Sequence, residues 1–184
     1  MFGINHLIFE LVNILLKLPP YRDFPIITSQ NISLRNVLDS DVKDLIPISF
    51  YDGIKAKSED EARMMQFKIN TDYKNGDSIH WCIVNISTNK IVGTCGYYRG
   101  FNNREGELGC ILLPEYRGLG YMTSALLLAI EFGRNTLGLD RIWALTSKQN
   151  NSAVRLLERT GFISSSKPDD NDVKFEIMLN GAGP

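Results

Sequence analysis

A chain of 184 residues has room for one domain with a sizeable core, and 43% hydrophobic with 22% charged residues is ordinary for a globular fold. The formal net charge of -1 excludes the long-range attraction that draws basic domains to nucleic acid or an anionic membrane. A phosphate-bearing ligand stays open, because backbone amides hold one without any net positive charge.

Residues 2–18 are rich in aliphatic side chains, but Asn5, His6, Glu10 and Asn13 interrupt them too often for a membrane span, and a signal peptide's basic start is lacking. Leu7, Ile8, Leu11, Val12, Leu15 and Leu16 share one helical face and His6, Glu10, Asn13 and Lys17 the other. This predicts an amphipathic helix ended by Pro19-Pro20, packed on its own domain or on a second copy in a homodimer. His6 has no evident role. Residues 19–30 read as a connector.

A strand is predicted over 31–36, then a helix over 42–49 capped from Asp39-Ser40-Asp41. Ser58-Glu59-Asp60-Glu61 fits a capping box, so a second helix runs to Tyr73 and stops near Asn75-Gly76. Residues 80–86 and 90–98 are β-rich runs joined by Ser87-Thr88-Asn89, a hairpin signature, and a turn over 99–106 leads into a strand over 107–113. A helix over 121–136 follows, its Met122, Leu126, Ile130 and Phe132 at helical spacing. Residues 141–146 read as a strand, and Asn150 or Asn151 caps a helix that closes at Gly161. Residues 162–165 and 173–179 form a last hairpin around Lys167-Pro168-Asp169-Asp170. The expected organisation is an N-terminal helix and connector (1–30), one α/β domain (31–180) and a loose tail (181–184).

Cys82, Cys95 and Cys110 are odd in number, widely spaced and without a CxxC pair, which points to buried free thiols in a reducing cytoplasm rather than a disulfide framework or a metal site.

Chemistry concentrates where a strand meets Arg117-Gly118-Leu119-Gly120 and a helix. Glycines at a helix mouth let the backbone approach a ligand, and the helix leaves its first amides unpaired. With the helix dipole they make a pyrophosphate site. No Gly-Lys-Ser/Thr follows, so this is not a Walker loop, and the dinucleotide fingerprint's third glycine is missing.

The run from Glu107 through Cys110-Ile111-Leu112-Leu113-Pro114-Glu115-Tyr116-Arg117-Gly118-Leu119-Gly120-Tyr121-Met122-Thr123 closely resembles the acetyl-CoA motif of the GNAT N-acetyltransferase superfamily. Asn150, with Arg155-Leu156-Leu157-Glu158-Arg159-Thr160-Gly161-Phe162, resembles the next motif, and Leu34-Arg35, Ser40-Asp41 and Leu45 the opening strand and helix. Glu107-Leu108-Gly109 and Leu157-Glu158-Arg159-Thr160-Gly161-Phe162 are similar to the branch that acetylates ribosomal-protein N-termini. The resemblance implies a mixed, mostly antiparallel sheet splayed around acetyl-CoA, with helices on both faces.

It also implies roles. Amides of Arg117, Gly118, Leu119, Gly120, Tyr121 and Met122 would hold the pyrophosphate. The strand Cys110, Ile111, Leu112 and Leu113 would pair with the pantetheine arm, with an oxyanion donor near Ile111. Asn150 would steady the pantetheine. A small-molecule or peptide amine would attack the thioester directly. The residues themselves offer Glu107, at the start of the strand that leads to the acetyl site, as base, with a strand-end carboxylate in solvent or a salt bridge as the alternative. Glu115 stands where the superfamily often has Gln or Arg. A Tyr general acid of several relatives would fall at Leu157, and a Ser of the ribosomal branch at Ala153, with Ser152 about 100° round the helix. Those gaps keep a second reading alive, a catalytically inactive acetyl-CoA sensor or partner subunit. Glu176 is a weaker base candidate, and His80 reads as packed or hydrogen-bonded beside Trp81. Cys110 reads as a small buried residue rather than a nucleophile. Tyr97, Tyr98, Phe50 and Tyr51 could line an acceptor pocket, but aromatics at such positions are more often core.

Overall fold

The computed structural model describes residues 17–165 and 172–179; nearly all of the expected N-terminal helix, the turn around Pro168 and the tail lie outside them. The frame is a sheet of eight strands in the order β1 (Ile27–Thr28), β2 (Ile32–Asn36), β5 (Ile79–Asn85), β6 (Ile91–Tyr98), β7 (Glu105–Leu112), β8 (Arg141–Ser147), β10 (Asp172–Met178), β9 (Ile163–Ser164). Neighbours are antiparallel except β7 and β8.

Side chains alternate across a strand, and β5 is buried on both faces. Ile79, Trp81 and Ile83 point into the core under α3 (Tyr121–Phe132) and α4 (Asn151–Arg159). Cys82 and Val84 point the other way, into a smaller cluster with Leu45 of α1 (Val42–Leu45). That second face also carries α2 (Glu59–Lys74) and the hairpin β3 (Phe50–Tyr51) and β4 (Ile54–Lys55). Trp81 is fully buried, edge-on to Phe132 at 5.1 Å, and its Nε1–H donates to the Pro25 carbonyl at 3.0 Å. Burial of a ring this size with its polar atom satisfied contributes about 3 kcal/mol.

Several elements differ from the sequence reading. The helix expected over 42–49 is one turn of α1 and then a tighter turn at Ile46–Ile48, because Pro47 has no N–H for the ladder. Ser58 caps α2 by accepting from Glu61 N at 3.2 Å, but the Glu61 carboxylate reaches Lys57 N at 2.7 Å instead of closing the box. The connector is fastened: it contains β1, and Tyr21 N donates to Tyr73 Oη at 2.9 Å. The long helix holds, but its end widens into a π turn at Gly133–Leu137. A Cβ at Gly133 would stand 2.4 Å from the Tyr97 hydroxyl, which donates to the Ala129 carbonyl at 2.8 Å. Tyr97 is therefore core.

The sheet forks. β7 and β8 pair only at Glu105↔Arg141, Gly106↔Ile142 and Glu107↔Trp143. Beyond that β7 stays with β6 as far as Leu112, while β8 stays with β10 as far as Ser147. Arg141 ties the base of the fork, reaching Glu105 Oε2 at 2.5 Å and Glu176 Oε1 at 3.2 Å. Arg104 Nε adds a bond to Asp140 Oδ2 at 2.8 Å.

Candidate active site

Past Glu107 the edge of β7 has no strand beside it among the described residues, so its outward amides and carbonyls are open to a ligand that completes the sheet. Which residues face outward follows from the ladder. Leu113 N donates to Val92 O at 3.0 Å, and a regular antiparallel ladder turns every second residue the same way. Ile111 and Gly109 therefore bond β6, while Leu108, Cys110 and Leu112 face the fork. The outward Leu112 carbonyl accepts from the Arg117 guanidinium at 3.5 Å. The ladder thus turns the Cys110 amide to the fork and the Ile111 amide to β6, and holds the Leu113 amide on Val92.

At the mouth of the fork lies the glycine turn. Gly118 has φ +78° and Gly120 φ +84°, a backbone that only glycine adopts at no steric cost, and a Cβ at either would meet nothing within 4 Å. No packing demands these glycines, and the space before them is open. Gly120 caps α3 without a side-chain bond, which leaves the amides of Tyr121, Met122 and Thr123 free at the positive end of the dipole. The Arg117 amide is spent on Pro114 O at 3.3 Å, so that residue offers its exposed guanidinium instead. Tyr121 Oη accepts from Asn85 Nδ2 at 2.5 Å and fixes the first turn of α3 to the end of β5. Asn150 caps α4, Oδ1 accepting from Ala153 N at 3.2 Å, so only its amide nitrogen is left to donate to a pantetheine. Asn150→Ala is expected to lower stability by about 1 kcal/mol through the lost cap and to weaken acetyl-CoA about fivefold. Urea unfolding and calorimetry read the two effects separately.

On the α1–α2 side of the sheet a cavity of about 1310 Å³ opens, lined by Glu107, Tyr98, His80, Tyr51, Asp52 and Asp72 among others. It reaches Gly109, Cys110 and Ile111, so it adjoins the fork. The Glu107 side chain is 11% exposed; one oxygen accepts from Arg99, and Oε2 is buried with no partner. His80 Nδ1 is the other buried side-chain atom without a partner among the described residues. His80 is packed, its ring 5.7 Å from that of Tyr98, but it is not hydrogen-bonded. Burial lowers its pKa from 6.5 to about 4, so the ring is neutral near pH 7. The unfolded chain binds this proton more readily, so the contribution is complete above pH 6.5 and is lost as pH falls towards 4. We expect stability to drop on the order of 2 kcal/mol across that window. Urea titrations of wild type and His80→Gln at both ends should show the slope shrink in the variant.

The alignable part of the chain agrees with this geometry. Residues 32–163 match the family model of the acetyltransferase (GNAT) domain. The chain belongs to the GNAT acetyltransferases. The N-acetyltransferase YoaA of Bacillus subtilis is 26% identical over 147 residues, 76% of this chain and 83% of that protein. The spermidine N(1)-acetyltransferase of Escherichia coli K12 is 29% identical over 79 residues, 43% of this chain and 40% of its own. Among solved structures, a Vibrio cholerae chain described as a candidate ribosomal-protein-serine acetyltransferase superposes with a TM-score of 0.73 at 18% identity, over 84% of this chain and 97% of the other. A dodecameric spermidine N-acetyltransferase of Vibrio cholerae gives 0.68 at 17% identity, over 82% and 95%. The structural likenesses show the GNAT fold.

Other residues of this GNAT domain fall away from the site. Leu157 and Leu156 are core. Glu176 lies between Arg141 and Lys174, which hold its carboxyl below the usual range and away from the cavity lining. Cys82 and Cys95 are buried as expected, but Cys110 is exposed at the fork. The cleft walls still desolvate its thiol and push it up to about 12, which leaves it protonated and a poor nucleophile. Phe50 and Tyr51 belong to the cavity. The hairpin that carries them escaped the sequence reading, although Asp52-Gly53 is a strong turn signal. Among the described residues no helix is long and apolar enough to cross a membrane.

Proposed function

We propose that this protein moves an acetyl group from acetyl-CoA to a primary amine held in the cavity, by direct attack on the thioester. The observation that carries the proposal is the fork, because β7 leaves β8 at Glu107, a residue that lines the cavity and whose buried Oε2 has no partner among the described residues. A pantetheine laid along β7 would bring its thioester end to that carboxylate. The amides from Gly118 to Met122 and the Arg117 guanidinium would hold the pyrophosphate, and Asn150 Nδ2 the pantetheine.

Glu107 takes the proton as the amine nitrogen bonds the carbonyl carbon, and the outward Cys110 amide meets the charge on oxygen. The acceptor class we favour is a small cationic amine. Asp52, Asp72 and Asp77 line the cavity, whereas Arg99 and Arg104 there are already engaged with Glu107 and Asp140. The relatives that act on spermidine support the same class.

The test is a panel of a polyamine, an amino acid, an aminoglycoside and a peptide N-terminus, read by release of the CoA thiol to a thiol dye. Turnover of a cationic small amine is the expected result. Acetyl-CoA binding without turnover across the panel would replace this reading with the sensor or partner-subunit one.

A further inference from the structure

The reaction proposed above leaves a thiolate on CoA, and the helix position that supplies a tyrosine in several relatives is the buried Leu157 here. The cavity holds another phenol. Tyr98 is the cross-strand partner of Glu107, so the two side chains stand on the same face of the sheet. Gly109, next along β7, has no side chain, and the Tyr98 ring leans across β7 into that gap. A Cβ at Gly109 would stand 2.9 Å from Tyr98 Cε2 and 3.9 Å from Cζ. The ring thus lies over Gly109 on the cavity face of the sheet, at the stretch of β7 that has parted from β8. The Tyr51 and Tyr97 hydroxyls donate to Asp72 and to the Ala129 carbonyl. The Tyr98 hydroxyl has no protein partner among the described residues.

We propose that Tyr98 is the general acid of this enzyme, donating its phenolic proton to the sulfur of CoA as the thioester collapses. The inference rests on the transferase reading. The neutral amine forms the C–N bond and passes one proton to Glu107. The carbon–sulfur bond then breaks with its electron pair on sulfur, and the Tyr98 O–H proton goes to that sulfur. The phenolate retakes a proton from the Glu107 carboxylic acid across the strand pair, directly or through one water. Products are the amide and free CoA, and both residues return to their starting state. Burial, with Cys95, Cys110 and Glu107 near by, raises the Tyr98 pKa well above 10, so the phenol is protonated in the resting enzyme.

The experiment compares wild type and Tyr98→Phe in single-turnover and steady-state assays on the best amine of the panel, with acetyl-CoA affinity by calorimetry. Phenylalanine keeps the ring, and the lost hydroxyl had no partner in the fold. The expected result is a loss of about 100-fold in kcat and in the single-turnover rate, with acetyl-CoA Kd, amine KM and melting temperature essentially unchanged. A single-turnover rate within threefold of wild type overturns the assignment while leaving the transferase reading intact. A rise in KM with kcat unchanged overturns it equally, making Tyr98 a wall of the acceptor cavity. Wild type that turns over no amine overturns both.

Discussion

Gly120→Trp abolishes acetyl-CoA binding by calorimetry, with Kd raised more than about 100-fold, while the domain stays folded. The prediction depends on separating the two costs of a side chain at this position. Backbone strain is the first: φ is +84°, and a non-glycine residue there costs about 1–2 kcal/mol. Steric conflict with the protein is absent, since a Cβ meets nothing within 4 Å. An indole placed in that space therefore collides with the ligand alone. It covers the amides of the first turn of α3, and losing two charge-assisted bonds of about 1.5 kcal/mol each already amounts to about 100-fold. Gly120→Ala is the control, because it carries the strain without the bulk. It should lose stability like the tryptophan variant but keep acetyl-CoA within about fivefold. Full binding by the tryptophan variant would show that the glycine turn serves chain reversal only, and the pyrophosphate would have to lie elsewhere on the fork.

Local signals carried most of the elements. Ser58, Asn150 and Gly161 each announce a helix boundary by chemistry confined to a few neighbouring residues, and each does in the structure what its type predicts. The fork is another matter. Where β7 parts from β8 depends on pairing between Glu107 and Trp143, and nothing within either strand marks it. The orientation of the Ile111 and Cys110 amides is likewise a register property. It follows from the bond of Leu113 to Val92, which turns Cys110 and Leu112 to the fork and Ile111 and Leu113 to β6. Glu107 was legible as a strand-end carboxylate. Its pairing with Arg99, its orphan oxygen and the gap at Gly109 that admits the Tyr98 ring all come from the β6–β7 ladder.

Glu107→Gln lowers kcat on the best amine by about 100- to 1000-fold and leaves acetyl-CoA Kd within twofold. The substitution keeps the shape of the side chain and offers Arg99 the same kind of oxygen. Arg99 is 59% exposed, so removing its counter-charge strands no buried cation and costs the fold little. What disappears is the negative oxygen at Oε2, which among the described residues is the one cavity atom that combines burial, charge and the absence of a protein partner. Water cannot take its place readily, because that atom is shut off from bulk solvent. Calorimetry with acetyl-CoA alone and single-turnover rates with the amine divide binding from chemistry. A rate unchanged in Glu107→Gln would assign proton removal to solvent reached through the cavity, and catalysis would then rest on the positioning of two substrates across the fork.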